Sequence, residues 1–311
     1  MKVVSYLNSV PAGSLGSNSQ KELLLRYFVA GIKHPDRGFI HAGRDLDVNA
    51  DVGVIQGWVH ENTKAPHLQV RKNVIRMYKK QNKHVIACDA NLFLFHNKEN
   101  PWGYLRYSFD GVFPNTGNYC DTEPNPKRWM RISNTIKLNL HERKKGGSHI
   151  LLCLQRNGGW SMDGLSVTEW IAHTVKKIRK FSDRPILLRA HPGDKRAPEY
   201  LLDRFSRIRK LDNVKVSTFG RRLEDDLIKA HAVVNHNSSS IVGPIIYGFP
   251  AFITDPGRSQ CSEVCHHNFK NIEEPLDFDR EAWLQRISMF HWNFDELKSG
   301  EAWSHMRGYI E

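Results

Sequence analysis

The sequence predicts an α/β protein made of two Rossmann-like domains, and three observations carry that expectation. First, 311 residues is about twice the length of a typical domain. Second, from Ser148 onward short apolar runs alternate with amphipathic ones, the pattern of a doubly wound parallel sheet. Third, residues 230–255 contain one complete layer of such a sheet. An apolar run (232–234) meets a polar corner (235–240), a second apolar piece (241–247), a stop at Gly248 and Pro250, and a further apolar run (251–254).

Composition narrows the class. With 40% hydrophobic and 25% charged residues the chain has ample material for two cores. No stretch approaches the roughly 18 apolar residues of a membrane span, and residues 1–7 are too short for a signal peptide. Five cysteines (Cys88, Cys120, Cys153, Cys261, Cys265) fall in no framework spacing, so a reducing, cytoplasmic setting is expected. Cys261, Cys265, His266 and His267 lack a second ligand pair at metal-site spacing, so no metal is expected. The net charge of +12 is unevenly divided. Residues 1–147 hold 22 Lys and Arg against 12 Asp and Glu, whereas residues 148–311 hold 23 against 21. A basic surface is often merely solvated. Concentrated in one half, however, it favours a polyanionic partner there, with nucleic acid first in line.

Taken in order, residues 2–7 (KVVSYL) read as the first strand, and residues 8–18 as a polar loop with Pro11, Gly13 and Gly16. Ser19 caps a helix over 20–30, with Leu23, Leu24, Tyr27 and Phe28 at helical spacing. Residues 38–40 and 52–55 are short buried strands. Residues 70–80 form a basic amphipathic helix, with Val74, Ile75 and Tyr78 inward and Arg71, Lys72, Arg76, Lys79 and Lys80 outward. Residues 84–88 are a strand followed by Asp89, an acid at a strand end, where open α/β folds place their ligands. Residues 96–147 are dense in turns and aromatics. Lys127, Arg128 and Arg131 around Trp129, with Trp102, Tyr104 and Tyr107, either hold bases or cover a domain junction. Residues 143–147 (RKKGG) read as a linker, which divides the chain into a domain over 1–147 and another from 148.

The second half is more regular. Residues 149–154 (HILLCL) are a strand that runs into a glycine-bearing loop; 167–181 is an amphipathic helix and 185–188 a strand. Residues 198–211 read as a basic helix, 214–217 as a strand, and 223–230 as a helix with an acidic first turn. Arg156, Gly158, Gly159, Arg189, His191, Lys195, Ser217, Asn237, Ser238, Ser239 and Ser240 all follow strands of this one sheet. Parallel strands end on one edge, so these residues converge in one crevice. Three cations and a serine corner fit a nucleotide diphosphate, although Ser238 also fits the simpler role of helix cap.

Two segments give this half a resemblance: Leu188-Arg189-Ala190-His191-Pro192, and Asn237 to Gly243 (NSSSIVG) with Tyr247 to Ala251 (YGFPA). Over about residues 148–260 it resembles the donor domain of GT-B glycosyltransferases, especially capsule-transferase-like and bacteriophage members. The resemblance implies two Rossmann-like domains facing across a cleft. It implies a donor domain over 148–290 and, from the tail around Trp292 and Trp303, a C-terminal helix (291–311) packed back on the first domain. Retaining members carry a Glu-x(7)-Glu pair where Pro244 and Ile245 stand here, so inversion is implied.

The expected function is therefore metal-independent transfer from a nucleotide sugar, UDP-linked by expectation, with Asp89 as base and Asp110 as second candidate. The charge of the first half and the phage-type resemblance favour double-stranded DNA bearing a hydroxymethylated pyrimidine as acceptor, in the cytoplasm, which is the host's if the chain is phage-encoded. Arg71, Lys72, Arg76, Lys79, Lys127, Arg128 and Trp129 are the expected DNA contacts. The alternatives are a capsule or surface-polysaccharide acceptor, or a non-catalytic nucleotide-sugar- or DNA-binding protein.

Overall fold

The computed structural model describes residues 1–310 apart from 17–18, 44, 48, 60–62, 94–103 and 204–205. Two compact units divide the chain: residues 1–138 with 284–311, and residues 139–283. No described helix is long and apolar enough to cross a membrane.

The first unit opens with β1 (Lys2–Tyr6), α1 (Gln20–Ala30), β2 (Arg37–His41), β3 (Val52–Gln56), α2 (Pro66–Lys80) and β4 (His84–Asp89). It continues with β5 (Leu105–Phe109) and α3 (Pro126–Ile136). The second unit contains β6 (His149–Cys153), α4 (Val167–Ile178), β7 (Ile186–Arg189), α5 (Ala197–Leu201), β8 (Val214–Val216) and α6 (Leu223–Leu227). Then follow β9 (Ala230–Asn235), α7 (Val242–Ile246) and β10 (Ala251–Ile253). The chain returns to the first unit through α8 (Arg280–Ser288), β11 (His291–Trp292), α9 (Phe294–Ser299) and α10 (Glu301–Arg307).

In the first unit the sheet order is β11-β5-β4-β3-β1-β2, with β1 to β4 parallel and β5 and β11 antiparallel additions. In the second unit all five strands are parallel, in the order β10-β9-β6-β7-β8. Each order has one point where the chain reverses direction across the sheet: between β1 and β3, and between β6 and β9. Ligands of open α/β sheets bind outside the carboxyl ends of the strands at such a point.

Several elements differ from the sequence reading. Residues 124–129 are not an irregular basic stretch, because Asn125 caps α3 by accepting the Lys127 N–H (3.0 Å) and Pro126 opens the helix. Proline suits the first helical turn, where its missing N–H would have no partner. α2 likewise starts earlier, at Pro66. The helix expected over 198–211 is only α5 and a separate 3-10 turn at Arg207–Lys210, while Ala230 already belongs to β9. β5 lies in the stretch that looked irregular.

The returning segment is tied to the first unit by buried polar chemistry as well as by Trp292 and Trp303, which join its core. Arg128 on α3 grips Glu296 on α9 with both terminal nitrogens (Nη1 to Oε1 2.5 Å, Nη2 to Oε2 2.8 Å), and its guanidinium lies 4.1 Å from the Trp292 ring centre. Glu296 also accepts the Asn293 N–H (3.0 Å), while Asn293 accepts the Glu296 N–H (2.9 Å), a reciprocal helix cap. At the far end, Asp36 takes the Trp303 indole N–H (2.9 Å), Arg307 Nε (2.9 Å) and the N-terminal ammonium (2.6 Å).

His291 is buried in this junction. Its Nδ1–H donates to the Ile287 carbonyl (2.6 Å), and its Nε2 accepts the Leu92 N–H (3.2 Å). No lone pair remains for a second proton, and burial pushes its pKa down to about 3.

Two predictions follow from this junction. Glu296→Gln leaves the Arg128 charge buried without a counter-ion and lowers the unfolding free energy by about 3–5 kcal/mol. The Arg128→Met/Glu296→Gln double variant recovers most of that loss; chemical denaturation that finds the single variant as stable as the wild type contradicts the pairing. The His291 pKa is depressed in the fold, so its contribution is complete above the unfolded value near 6.5 and is lost as pH falls. Between pH 6.5 and 5 that loss is about 2 kcal/mol. His291→Gln is expected to flatten the pH dependence of denaturation by that amount, and an unchanged slope refutes a neutral buried imidazole.

Candidate functional site

In the second unit the reversal point lies between the loops that follow β6 and β9, and side chains brace these loops. Gln155 donates to Ser161 Oγ (2.7 Å) and accepts the Asn237 N–H (3.2 Å). Asn237 donates to Ser161 O (3.0 Å) and Asp255 Oδ2 (2.8 Å), tying in the loop after β10. Asn237 is thus a buried brace. Gln155 and Asp255, its partners, carried no motif and were not anticipated. Thr254, just after β10, joins the same frame. Its hydroxyl oxygen accepts the Trp170 indole N–H (2.8 Å) and lies 2.7 Å from His236 Nδ1.

The turn after β6 explains its glycines. The Gly159 N–H donates to the Arg156 carbonyl (3.0 Å), and Gly158 has φ +70°, the left-handed conformation this turn requires at its third residue. Asn157 N–H donates to Asp194 Oδ2 (2.9 Å), and Asn157 Oδ1 accepts the first N–H of α4, from Val167 (3.2 Å). These bonds hold the Arg156 loop against the loop after β7. Burial raises the Asp194 pKa, but the Asn157 N–H, the Tyr200 hydroxyl and the Arg196 N–H outweigh it, so Asp194 sits below the usual carboxylate range. The side chains of Arg156 and Lys195 are exposed, and neither has a hydrogen-bonding or ion-pair partner among the described residues.

A cavity of about 370 Å³ opens beside them at the ends of β7 and β8, lined by His191, Lys195, Phe219 and Arg221 among others. His191 Nδ1 accepts the Gly193 N–H (2.9 Å), and burial lowers its pKa, so the ring is neutral at pH 7 with a proton on Nε2 free to be donated. Arg189 and Ser217 also line this cavity, but their polar atoms are already committed. Arg189 donates to the fully buried Asp226 (Nη1 to Oδ2, 2.5 Å) and to the Arg221 carbonyl (2.7 Å). Ser217 Oγ donates to the same carboxylate (2.7 Å). The expectation of Arg189 as a free cation for donor phosphate is therefore corrected: it neutralises the buried Asp226, which the sequence showed only as part of an acidic helix turn.

The serine corner is shorter than expected. Ser238 Oγ accepts the Ser240 N–H (3.2 Å), and Ser239 and Ser240 are exposed on a 3-10 turn that leads into the five-residue α7.

In the first unit, Asp89 ends β4 and is half-buried. Its Oδ2 receives Arg106 Nη2 (2.6 Å) and its Oδ1 the Ala90 N–H (2.7 Å). Asp110 lies at the opposite edge of the sheet: β5 runs antiparallel to β4, so Asp110 meets His84 at the start of β4 (2.6 Å) and accepts the Val85 N–H (2.9 Å). The structure thus separates the two candidate bases. Of the expected DNA contacts, Lys72 is half-buried and Arg76, Lys79 and Lys127 are exposed. Arg71 is corrected from an outward to a buried position, and Arg128 and Trp129, expected either to hold bases or to cover a junction, are buried as well. Trp102 lies outside the described residues.

No protein-family model matches the chain, and no curated protein matches its sequence. In three dimensions it is similar to two solved transferases from Thermosulfurimonas dismutans. One is KpsC, beta Kdo 2,4 transferase, at 13% identity and a TM-score of 0.53 over 96% of this chain and 98% of that one. The other is KpsC, beta Kdo 2,7 transferase, at 11% identity and a TM-score of 0.56 over the full length of both. The chain has a GT-B fold. In this GT-B chain, Gln155 and Asn237 brace the second reversal point through their side-chain hydrogen bonds.

Arg189→Ala leaves the buried Asp226 carboxylate with only Ser217 and the more distant Arg221 (3.5 Å), and the unfolding free energy is expected to fall by about 3 kcal/mol. Arg189→Met with Asp226→Asn is expected to recover most of it. Denaturation showing Arg189→Ala at wild-type stability would return this arginine to a ligand-facing role.

Proposed function

We propose that the chain is a glycosyltransferase that moves a sugar from a nucleotide donor to a saccharide acceptor of the surface-polysaccharide kind. The observation that carries this reading is the pair of exposed cations, Arg156 and Lys195, whose side chains make no hydrogen bond or salt bridge among the described residues, at the carboxyl edge of the second sheet beside the neutral His191. Departure of a nucleotide phosphate develops negative charge, and preorganised cations and N–H donors facing that charge lower the barrier. In this proposal Arg156, Lys195, His191 Nε2–H and the Ser239–Ser240 turn receive the donor phosphates, with no metal required. Asp89 accepts the proton of the acceptor hydroxyl; its hydrogen bonds from Arg106 and Ala90 fix the carboxylate plane at the strand end.

The acceptor class draws support from the two beta Kdo transferases, whose folds match 96% and 100% of this chain. Hydroxymethylated duplex DNA draws support from the basic first half. It loses ground because Arg128 and Trp129, two of its seven expected contacts, are buried, with Arg128 already paired to Glu296.

Thermal shift against UDP-, GDP- and CMP-linked sugars, with and without EDTA, tests the donor assignment. Arg156→Ala with Lys195→Ala is expected to weaken donor binding at least tenfold, since each charge-assisted hydrogen bond contributes about 1.5–3 kcal/mol. No stabilisation by any donor, or stabilisation that EDTA abolishes, sinks the reading. Asp89→Asn is expected to abolish transfer and keep donor binding. Mass spectrometry after incubation with acidic oligosaccharides and with hydroxymethylated duplexes separates the acceptors, and the DNA reading further requires an affinity falling with salt at a slope of about 0.9 per phosphate contacted. The anomeric configuration of the product, read by ¹H NMR, tests the expectation of inversion.

A further inference from the structure

Two buried ion pairs among the described residues set a contrast: the buried Arg128 has Glu296, and the half-buried Arg189 has the buried Asp226. Arg71 is different. It projects from the second turn of α2 and is 93% buried, as its residual exposure of 7% indicates. Its Nε donates to the Ser9 carbonyl (2.7 Å) and its Nη2 to Gln56 Oε1 (2.5 Å), both neutral acceptors. Its Nη1 lies against the open face of Gly57, where an added Cβ would stand only 2.8 Å away. Among the described residues no carboxylate bonds to it. Asp89, the acid that acts on it through space, is already hydrogen-bonded to Arg106 and to its own loop.

The position matters as much as the pairing. Ser9 follows β1 and Gln56 ends β3, so Arg71 sits at the point where the strand order of the first sheet reverses. His67 lies one helical turn earlier, depressed by burial and by the nearby charges of Arg71 and Lys21. Against Arg71, Arg106 and Lys21, this edge sets Asp89 as its described acid. A guanidinium buried among neutral partners is destabilising until an anion reaches it, and its fork matches the two oxygens of a carboxylate or phosphate.

We propose that Arg71 is the anion-recognition residue of the first unit: it binds a carboxylate or phosphate carried by the acceptor, at the carboxyl ends of β1 and β3. The word acceptor rests on the sugar-transfer reading above, whereas the anion site does not. The site gives the transferase an acidic acceptor, with the charged group held near Asp89 and the hydroxyl to be glycosylated presented from the same molecule.

Thermal shift at constant ionic strength tests this with sodium phosphate, sodium glucuronate, methyl glucoside and sodium chloride. Phosphate or glucuronate is expected to raise the Tm by roughly 2–5 °C at about ten times Kd, with no response to the glucoside or to chloride. Arg71→Met, which keeps the volume and removes the charge, is expected to fold and to lose that response. Arg71→Lys, which keeps the charge without the fork, weakens it at least fivefold, and decides the matter if the methionine variant does not fold. A response to glucuronate alone assigns a carboxylated sugar, and one to phosphate alone a phosphorylated acceptor. No response in the wild type, or an equal one in the variants, overturns the proposal. Nucleotide-sugar shifts recorded in parallel keep the two readings apart: their absence removes the transferase reading while an Arg71-dependent anion response still stands.

Discussion

Parallel strands end on the same edge of their sheet, and most of what this chain can do chemically follows from that constraint. In each unit the loops leaving the strands are forced together, and the reversal of strand order leaves a gap between two of them. Ser9, Gln56 and Asp89 share the edge in the first unit; Gln155, His191 and Asn237 share it in the second. None of these groupings depends on nearness in sequence. A residue placed one position earlier in a strand would point into a helix layer instead.

Within those edges the structure distinguishes charges that hold the fold from charges left available. Asp226 is buried, and it draws Arg189, Ser217 and Arg221 toward itself at the floor of the second-unit cavity. Glu296 does the same for Arg128, and the result fastens the last 28 residues to a unit built mainly from the first 138. These arginines are structural because a carboxylate lies within reach in a dry setting. Arg156 and Lys195 lie in water and make no salt bridge among the described residues, with Asp194 acting on Arg156 only through space, and Arg71 lies in a dry setting without a bonded carboxylate. Those two kinds of unpaired cation carry the functional proposals, one in each unit.

The same sorting explains why a basic face is poorly read from spacing. α2 carries lysines and arginines at every turn, and their charge alone suggests that all of them face solvent. By helical spacing Arg71 shares the face that carries Val74, Ile75 and Tyr78. Its long stem then runs under the loop after β1, so the charged head ends inside. Trp129 and Arg128 meet the same fate on α3, whose apolar face is completed by Ile132.

The sequence by itself determined the alternation of strand and helix in the second unit, the two-unit division in outline, and the strand-end positions of His191, Asn237 and Asp89. Those features are local: apolar runs of strand length, glycines where a turn needs positive φ, and polar residues directly after each run. It also contained the cap that starts α3, although Pro124 and Pro126 read more readily as a break. Only the tertiary structure decided which of the polar residues are free. The pairs Arg189–Asp226, Arg128–Glu296 and Gln155–Asn237 join residues 37, 168 and 82 positions apart. Such pairing depends on burial and on strand order, which no local pattern encodes, because the energy of a charge is set by what surrounds it in space.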